Sequence, residues 1–470
     1  MTAGGASPAD GKRLGEQMSK KIGGVVALVG LCALSLFLLN CGSSSSRPSG
    51  LLYVLTQGIN GIGDNVSSFA MDLSSGNLSL INSNATTCST LNGTPPVSCG
   101  ISLNILLDPT GATAFVLNQG VASAGVAPTI YAYTVNSDGS LGTPAVAPTP
   151  SLMAGDTAVA MARDAAGQFL FAIDEGVYPS LTNCPLNGSS DSSFAGCPSI
   201  SVFAMKPGST TLTLASGSPF YLSKIPSALA PITFTAPGAA AAQEFLFVTN
   251  NKDLVLHNDN TLSLYAVSSS GSLTEQVNSP YLVSAIDPIS VLAVNTNPVG
   301  QNTGGLFVYV GNQDANGGHL YPFQVCTVVN AVCTAQDVGS NLMFPLATCS
   351  QGSCNDVPPT SAGSNPVAML VDPTNNFLYV VSQGSNQVFG FRIDTTAGTL
   401  SALTPANQPT GSQPVAMAMH PSVNNTGQFL YTSNSNSDNI TGFTLSTTSG
   451  SMSSPITVVA PAAPSGMAAR

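Results

Sequence analysis

The stretch that decides the fold is NPVAMLVDPTNNFLYVVSQGSNQVFGFRIDTTAGTL, residues 365–400. It holds one apolar segment that begins at Pro366, a second that begins at Phe377, a third that ends near Phe391, and a turn at Gly398. Apolar residues alternate with small or polar ones in these segments, which is typical of β-strands. The stretch therefore predicts a unit of antiparallel strands joined by short polar turns.

The same unit recurs along the whole chain. Its most apolar strand returns at residues 51–55, 114–117, 169–173, 245–248, 306–310, 377–381 and 429–432. The next strand carries an aromatic residue at one fixed place: Phe69, Tyr133, Phe203, Tyr265, Phe323, Phe391 and Phe443. With one strand before and one after these two, each unit has the four strands of a propeller blade. The sequence predicts an all-β, seven-bladed β-propeller with four antiparallel strands per blade over residues 51–470.

The way in which the ring closes is also readable. The first unit begins at Leu51 and lacks an innermost strand, whereas the chain ends in PSGMAAR, which aligns with PVAMA at residues 414–418. We therefore expect the C-terminal strand, residues 464–470, to enter blade 1 and close the ring, which leaves no open sheet edge.

Composition fits this architecture and excludes some partners. Charged residues make up only 7% of the chain, Trp is absent, and the net charge is −11. Low charge with abundant Gly and Ser would also suit disorder, but the regular apolar strands argue against it. No basic cluster is present, so nucleic acid is not an expected partner.

The N-terminus is typical of an exported protein. Lys20 and Lys21 precede an apolar run over residues 22–39, and Cys41 with a Ser-rich stretch follows. This order matches a secretory signal, and residues 38–41 resemble a lipobox, although Asn40 departs from the usual small residue. We expect a signal peptide over residues 1–40 and a tether over residues 41–50. Lipid on Cys41 would then hold the protein to the membrane of the cell envelope, facing the periplasm or the cell surface.

Two points about this end of the chain stay open. The alternative to the lipoprotein is an uncleaved membrane helix, since eighteen apolar residues can just span a bilayer. The start of translation is Met1 or Met18. The lipoprotein and the membrane helix both place the remaining chain outside the cytoplasm.

Eight further cysteines fall into close pairs. These are Cys88 with Cys99, Cys184 with Cys197, Cys326 with Cys333, and Cys349 with Cys354. An even number of cysteines in local pairs indicates disulfides in an exported chain. The spacing and the lack of His partners speak against metal, and we expect no metal or cofactor.

The repeats resemble a known family. The segment at residues 365–368, the strand at residues 377–381 with its following polar loop, and the run FxxDxxxGxL at residues 391–400 resemble YVTN-type repeats and lactonase-type seven-bladed propellers. The resemblance spans about residues 50–470. It implies the seven-bladed fold and a relation to 6-phosphogluconolactonases and carboxymuconate-lactonising enzymes.

The resemblance also implies charged and His side chains, with Arg prominent, at one mouth of the channel. Arg163 and Arg392 are the only arginines within the blades apart from the C-terminal Arg470, and both fall in predicted strands instead. An anionic substrate would therefore lack its cationic partners.

We expect a binding site on the face that carries the turns between the second and third strands. The predicted long insertions, residues 122–125, 178–199 and 252–260, lie there, and elaborated loops on a rigid scaffold commonly carry binding sites. Titratable residues on this face are few: Asp174, Glu175, Lys252, Asp253, His257, Asp259, Asp314 and His319.

Several roles are open for these residues. His257 or His319 beside a carboxylate could act as a general base on a lactone carbonyl, or both could be ordinary loop residues. Asp174 and Glu175 could bind Ca²⁺ with loop carbonyls, or form a solvated turn. His420 occupies the place of Asp108, Asp164 and Asp372 in other units, where capping a turn suits it better than catalysis.

These observations favour a binding or interaction module for a glycan, peptide or protein ligand. The alternative is a lactone hydrolase that acts outside the cytoplasm, which would make the chain an enzyme of the hydrolase class. A structural adhesin differs from the first hypothesis only in its partner.

Overall fold

The computed structural model describes most of the chain after residue 49. The described residues are Met1 and 50–57, 65–86, 100–121, 126–146, 156–177, 183–185, 188–235, 241–283, 287–296, 305–314, 317–325, 343–350, 353–420, 428–460 and 462–470. The only helical element among them is a short 3₁₀ turn, Ser192–Phe194. No helix in this part of the chain is long and apolar enough to cross a membrane. The predicted signal peptide and tether lie outside the described residues.

The described part of the chain forms 33 strands. In chain order they are β1 Leu51–Thr56, β2 Asn65–Met71, β3 Leu78–Thr86, β4 Ser102–Leu107, β5 Thr113–Asn118, β6 Thr129–Thr134, β7 Ala145–Val146, β8 Ala158–Arg163, β9 Phe169–Asp174, β10 Ser199–Ala204, β11 Thr213–Leu214, β12 Phe220–Tyr221, β13 Lys224–Phe234, β14 Gln243–Asp253, β15 Asn258–Val267, β16 Leu273–Glu275, β17 Tyr281–Leu282, β18 Pro288–Asn295, β19 Leu306–Asp314, β20 Gly317–Val325, β21 Met343–Pro345, β22 Ala347–Ser350, β23 Ser353–Asp356, β24 Thr360–Ser361, β25 Pro366–Val371, β26 Phe377–Ser382, β27 Gln387–Ile393, β28 Leu400–Pro409, β29 Pro414–His420, β30 Gln428–Asn434, β31 Asn439–Leu445, β32 Ile456–Val459 and β33 Pro464–Ala469.

These strands form seven antiparallel sheets, the blades, and one small hairpin, β22–β23. From the innermost to the outermost strand, the blades are β33-β1-β2-β3, β4-β5-β6-β7, β8-β9-β10-β11, β13-β14-β15-β16, β18-β19-β20-β21, β25-β26-β27-β28 and β29-β30-β31-β32. In blades 3, 4 and 5 a further short strand (β12, β17 and β24) extends the outer edge. Each innermost strand contacts the innermost strands of the two neighbouring blades. The seven-bladed propeller is confirmed.

The second strand of each blade forms the core. Strands β1, β5, β9, β26 and β30 are buried at every residue. Such a strand pairs on both edges within its blade and is covered on both faces by the adjacent blades, so it reads as a continuous apolar run. The aromatic residues of this strand therefore pack between blades rather than inside one.

The C-terminal strand closes the ring, as the sequence predicts. Strand β33 pairs antiparallel with β1, and Met467 lies opposite Val54. Backbone hydrogen bonds join Leu51 to Arg470 in both directions, at 3.0 and 2.9 Å. The first and last strands of the propeller thus share one sheet.

Tyrosine hydroxyls connect four pairs of neighbouring blades. Each donates to the backbone carbonyl of a glycine in the outer turn of the next blade, at 2.7–2.9 Å: Tyr53 to Gly139, Tyr309 to Gly398, Tyr379 to Gly450 and Tyr431 to Gly76. Gly398 has a φ of 70°, and a Cβ there would lie 2.3 Å from the Phe307 ring. The repeated Gly-polar-Leu turn therefore needs glycine for both its backbone conformation and its close approach to the preceding blade.

Every innermost strand has a register shift near its start. The shifts lie around Leu103, Val159, Ser227, Ile289, Val367, Val415 and Ser465. Such bulges bend a strand and turn its side chains at the rim of a closed sheet. We call the end of the ring where the innermost strands begin the top face, and the opposite end the bottom face.

Two loop predictions meet different outcomes. The predicted insertion at residues 252–260 is wrong, because β14 extends to Asp253 and β15 begins at Asn258, which leaves a tight hairpin turn. The blade 3 insertion is a real loop, in which the Cys184–Cys197 disulfide is present as predicted. The insertion at residues 122–125 lies outside the described residues.

The other predicted cysteine pairs are only partly visible. Strands β22 and β23 pair with Cys349 opposite Cys354, a register that agrees with the predicted bridge, but their side chains are not described. The predicted bridge between Cys88 and Cys99 lies outside the described residues, and so does the one between Cys326 and Cys333. Both of these bridges stay predictions.

Candidate functional site

The wall of the ring axis is almost free of charge. Among the residues of the seven innermost strands, only Lys224, Arg163 and His420 can ionise. Lys224 begins its strand at the top face, whereas Arg163 and His420 end theirs at the bottom face. The middle of the wall consists of Ala, Val, Leu, Ile, Met and a few uncharged polar residues.

Serine hydroxyls join neighbouring blades at the top rim. Ser227 Oγ donates to the Pro288 carbonyl at 2.6 Å, and Ser290 Oγ donates to the Pro366 carbonyl at 2.6 Å. Ser465 Oγ makes the same kind of bond to the Ser102 carbonyl at 2.7 Å. These hydroxyls are held by the scaffold, so the rim is rigid, polar and uncharged.

A pair of carboxyl groups lies inside the top of blade 3. Asp174 at the end of β9 is fully buried, and Asp156 is 3% exposed. Asp174 accepts hydrogen bonds from Ser199 Oγ at 2.5 Å and from the Gly176 N–H at 3.0 Å. Burial, with the nearby Asp156 carboxyl, raises the pKa of Asp174 well above its usual value. Because solvent does not reach Asp174, its role here is to fix the start of β10 and the following turn.

Tyr221 links this pair to blade 4. Burial raises the pKa of Tyr221, and the charges of Asp174 and Asp156 raise it further, which places the three groups close together. Tyr221 also packs with the Cys184–Cys197 disulfide and Ile225 in one apolar cluster. The disulfide loop of blade 3 is therefore anchored on the first strand of blade 4.

One lysine of the top face is paired with a carboxylate, and the other influences the pKa of one. Lys224 Nζ forms a salt bridge with the buried Asp259, which also accepts a hydrogen bond from Thr261 Oγ1. Partial burial raises the pKa of Glu175, and the positive charge of Lys252 opposes that rise. Lys224 is therefore not an uncompensated cation for an anionic ligand.

Asp253 and His257 form the turn between β14 and β15. Asp253 Oδ1 accepts the backbone N–H groups of Val255 and His257, both at 2.9 Å. His257 Nδ1 lies 3.3 Å from Asp253 Oδ2, and the imidazole side chain is 79% exposed. Acceptance of these N–H groups lowers the pKa of Asp253 against the opposing effect of burial. The pair closes the hairpin between β14 and β15.

The second predicted histidine lies in another blade. His319 belongs to β20 of blade 5, where its backbone lies opposite Asn312 on one side and Ser361 on the other. Asp314 ends β19 opposite Gly317, and its side chain is not described. The structure thus separates the predicted site residues, since Asp174 is buried, Asp259 is paired with Lys224, and the two histidines lie in different blades.

The arginines of the bottom face contact backbone carbonyls or an aromatic ring. Arg163 Nε donates to the Leu107 carbonyl at 2.5 Å, and Arg470 Nη1 to the Gly111 carbonyl at 3.4 Å. The Arg392 guanidinium lies 4.8 Å from the centre of the Phe377 ring. Lys206 follows β10 at the bottom face. Arg163 and Arg392 lie in strands, as predicted.

Aspartates cap the turns at the ends of three innermost strands, whereas the capping role expected for His420 stays a prediction. Asp108, Asp164 and Asp372 are buried and accept backbone N–H groups of the turn that follows. His420 ends β29 at the equivalent place and is 2% exposed. Within the described residues, no group of three or more His, Cys, Asp or Glu side chains could hold a metal ion.

Sequence reasoning missed Asp156, Tyr221 and Ser199. Asp156 lies in an irregular segment before β8, and nothing in its surroundings marks it as buried. The signal that could have found it is its place just ahead of an innermost strand, where backbone passes between two blades. Only the packing of blade 3 on blade 4 shows that these side chains meet.

Comparison with known proteins agrees with the architecture. Residues 353–465 match the family model described as "Lactonase, 7-bladed beta-propeller". The chain has the fold of the lactonase-type seven-bladed β-propellers. No curated protein matches the chain by sequence.

Several solved structures share this fold at low sequence identity. A 6-phosphogluconolactonase-like protein from Bacteroides fragilis is 13% identical with a TM-score of 0.56, covering 90% of this chain and 98% of its own. The periplasmic gluconolactonase of Pseudomonas aeruginosa is 14% identical with a TM-score of 0.55, covering 89% and 98%. A protein from Lactobacillus plantarum is 14% identical with a TM-score of 0.53, covering 90% and 99%. The lactonase-type propeller shared with these proteins is a scaffold, and its chemistry has to be argued from the residues at each face.

Proposed function

We propose that this lactonase-type propeller is an exported binding module that takes an uncharged polar ligand, a glycan or peptide segment, on its top face. The observation that carries the proposal is the salt bridge of Lys224 with Asp259 beside an uncharged, serine-rich rim. Hydroxyl and backbone groups that are fixed in place suit hydrogen bonding to neutral polar ligands.

A phosphorylated sugar lactone fits this face poorly. A phosphate group is best held by arginine or by an unpaired lysine, and all three arginines of the propeller contact backbone carbonyls or a ring elsewhere. Asp253, whose pKa is lowered, adds negative charge at the top that would repel such a ligand.

The second candidate is a hydrolase for a neutral lactone. It is supported by the match of residues 353–465 to the lactonase family model and by the shared fold of a periplasmic gluconolactonase. The acid–base group closest to a carboxylate is His257, 3.3 Å from Asp253. His319 is the other histidine of the top face.

The two candidates are separated by one set of measurements on the purified full-length chain. We expect no turnover of neutral or phosphorylated lactones, and saturable binding on an array of neutral glycans and peptides. Turnover of a neutral lactone that disappears in the His257→Ala or His319→Ala variant would establish the hydrolase instead. Binding that requires a phosphate group would contradict both candidates.

The address of the protein belongs to the same proposal. A lipid on Cys41 would hold the propeller at the envelope, with residues 41–50 as its tether. Incorporation of labelled fatty acid into the parent and its loss in the Cys41→Ser variant are the expected results. A membrane-bound Cys41→Ser variant of full precursor length would support the uncleaved helix.

A further inference from the structure

A cleft on the bottom face lies between blades 3 and 4. Its volume is about 380 Å³, and two carboxyl side chains, Asp164 and Glu244, line it with Gln168, Gln243 and Thr233. These residues end or begin strands at the opposite end of the blades from Asp174 and Lys224, so the cleft is separate from the top face. Its size is near the lower end of small-molecule sites, which are roughly 300–1,000 Å³.

The repeat shows what the aspartate at the end of an innermost strand normally does. In blade 2, Asp108 Oδ1 accepts the Thr113 N–H, and Oδ2 accepts both the hydroxyl and the N–H of Thr110. In blade 6, Asp372 uses its two oxygens in the same way, with Thr374 on Oδ2. A threonine two residues after the aspartate thus occupies the second carboxylate oxygen.

Blade 3 lacks that threonine. Asp164 Oδ1 accepts the N–H groups of Gln168 and Phe169 at 2.8 and 2.9 Å, as the repeat requires. The residue two positions on is Ala166, which has no hydroxyl and lies in the lining of the cleft. Asp164 Oδ2 therefore accepts no hydrogen bond from the described part of the chain, although Asp164 is only 3% exposed.

Glu244 supplies a second oxygen without a partner. Its Oε2 accepts a hydrogen bond from Thr233 Oγ1, whereas its Oε1 is shielded from solvent and has no hydrogen-bond partner among the described residues. Burial raises the pKa of Glu244 to about 7, the Thr233 hydrogen bond opposes the rise, and the Asp164 charge adds to it. Arg163 precedes Asp164 in the chain, and its guanidinium already donates to the Leu107 and Asp164 carbonyls.

We propose that this cleft binds a small organic cation, a primary ammonium compound with a hydroxyl or amide group. The ammonium would donate to Asp164 Oδ2 beside the negative charge of the Glu244 carboxylate, and Gln168, Gln243 and Ser268 would meet the neutral polar end. An ammonium has three donors and no acceptor, so it satisfies the acceptor oxygen that the protein leaves open on Asp164 and is attracted by the second carboxylate. A calcium ion requires six to eight oxygen ligands and leaves most of such a cleft unfilled.

This inference does not depend on the function proposed for the top face. It also predicts a pH dependence for the cleft. Glu244 attracts the ammonium only when it is ionised, so affinity falls as the pH drops below about 7. Binding of the cation in turn lowers the pKa of Glu244, because a positive charge nearby favours the ionised form of a carboxylate.

The test is calorimetric titration of the full-length chain with 5-aminopentan-1-ol and with its uncharged counterpart, pentane-1,5-diol. We expect the amine to bind about ten- to a hundredfold more tightly than the diol, the range for a hydrogen bond between charged groups. Its affinity should be several-fold higher at pH 8 than at pH 6.

Three variants make the test specific. Ala166→Thr restores the threonine of blades 2 and 6, so it should weaken amine binding about tenfold without loss of stability. Glu244→Gln should weaken binding similarly and remove its pH dependence. Glu275→Gln is the matched control, because burial also raises the pKa of Glu275, which lies outside the cleft and accepts a hydrogen bond from Ser279.

Three results would overturn the proposal. The first is equal affinity for the amine and the diol. The second is an unchanged affinity for the amine in both the Ala166→Thr and the Glu244→Gln variant. The third is calcium binding that Glu244→Gln abolishes, together with no measurable binding of the amine. In the last case the cleft would be a metal site.

Discussion

Blades 6 and 7 and blades 3 and 4 solve the same packing problem with different side chains. In blades 6 and 7 the second strands carry Tyr379 and Tyr431, whose hydroxyls donate to glycine carbonyls of the next blade. In blades 3 and 4 the corresponding residues are Phe171 and Phe247, which have no hydroxyl.

Blades 3 and 4 carry what the regular blades do without. They hold the Cys184–Cys197 disulfide, the Asp156 and Asp174 carboxyls, the Lys224–Asp259 salt bridge and the bottom cleft. The family model matches residues 353–465, the part of the chain that contains blades 6 and 7. The difference teaches that a blade needs only its strands and apolar contacts to fold. The buried charged groups of blades 3 and 4 mark positions that serve a purpose other than the folding of the blade.

The largest effect on stability is expected when the ring is opened, because both kinds of blade depend on its closure. Deletion of residues 464–470 removes β33 and exposes an edge of β1 and the side of blade 7. We expect the melting temperature to fall by more than about 10 °C, because the deletion removes several kcal/mol of packing free energy. Each kcal/mol of lost stability lowers the melting temperature by roughly 2–4 °C. Calorimetry of the deletion variant and of Ser465→Ala, which removes one rim hydrogen bond, provides the comparison. A deletion variant as stable as Ser465→Ala would refute closure by β33.

The next effect should be confined to blades 3 and 4. Replacing Cys184 and Cys197 with Ser opens a loop with a sequence separation of 13 residues. By loop-closure entropy this costs about 3 kcal/mol. Hydrogen exchange should increase in peptides that contain residues 183–199 and the start of β13, and stay unchanged in blades 6 and 7. Uniform destabilisation of all blades would contradict the local role of the bridge.

The buried carboxyl of blade 3 predicts a pH dependence of the folding stability. Because the pKa of Asp174 is raised in the folded protein, its contribution to stability is fully present below the unfolded-state value of 3.8 and is lost as pH rises toward the folded value. The Asp174→Asn variant should lose less stability than the parent over this rise. Urea unfolding from pH 4 to pH 9 measures the difference, and parallel curves would exclude the effect.

A smaller effect is expected from the tyrosine hydroxyl of blade 6. Tyr379→Phe converts this position into the Phe found in blades 3 and 4, and leaves the Gly450 carbonyl without its donor. The expected loss is about 1 kcal/mol, the net value of one hydrogen bond, with no change in the urea m-value. A loss much above about 3 kcal/mol would show that the hydroxyl does more than join two blades.

The smallest effect belongs to His257. Its imidazole is 79% exposed, so His257→Ala should change stability by less than about 0.5 kcal/mol. Asp253→Ala is the contrasting variant, because it removes the acceptor for two backbone N–H groups of the same turn. Equal effects of the two variants on thermal unfolding would show that the imidazole itself supports the hairpin.

Much of the fold follows from the sequence because a propeller repeats short-range patterns. The alternation of apolar residues set the strands, the count of units set the number of blades, and the match of residues 464–470 to an innermost strand set the closure. The insertion expected at residues 252–260 failed because polar residues such as Asn250 and Lys252 continue the strand pairing of β14 and β15. A ladder of backbone hydrogen bonds can extend through polar side chains that sequence periodicity reads as loop.

The candidate sites were much less predictable. The sequence by itself determined the class of fold, the number of blades, the closing strand and the shortage of cations. Only the tertiary structure decided that Lys224 is paired with Asp259, that Asp174 is buried beside Asp156, and that Ala166 leaves Asp164 with an open oxygen next to Glu244. Strand patterns arise from neighbours a few residues apart. The charge state of a side chain, and whether its oxygen atoms accept hydrogen bonds, depend instead on groups that meet across two blades.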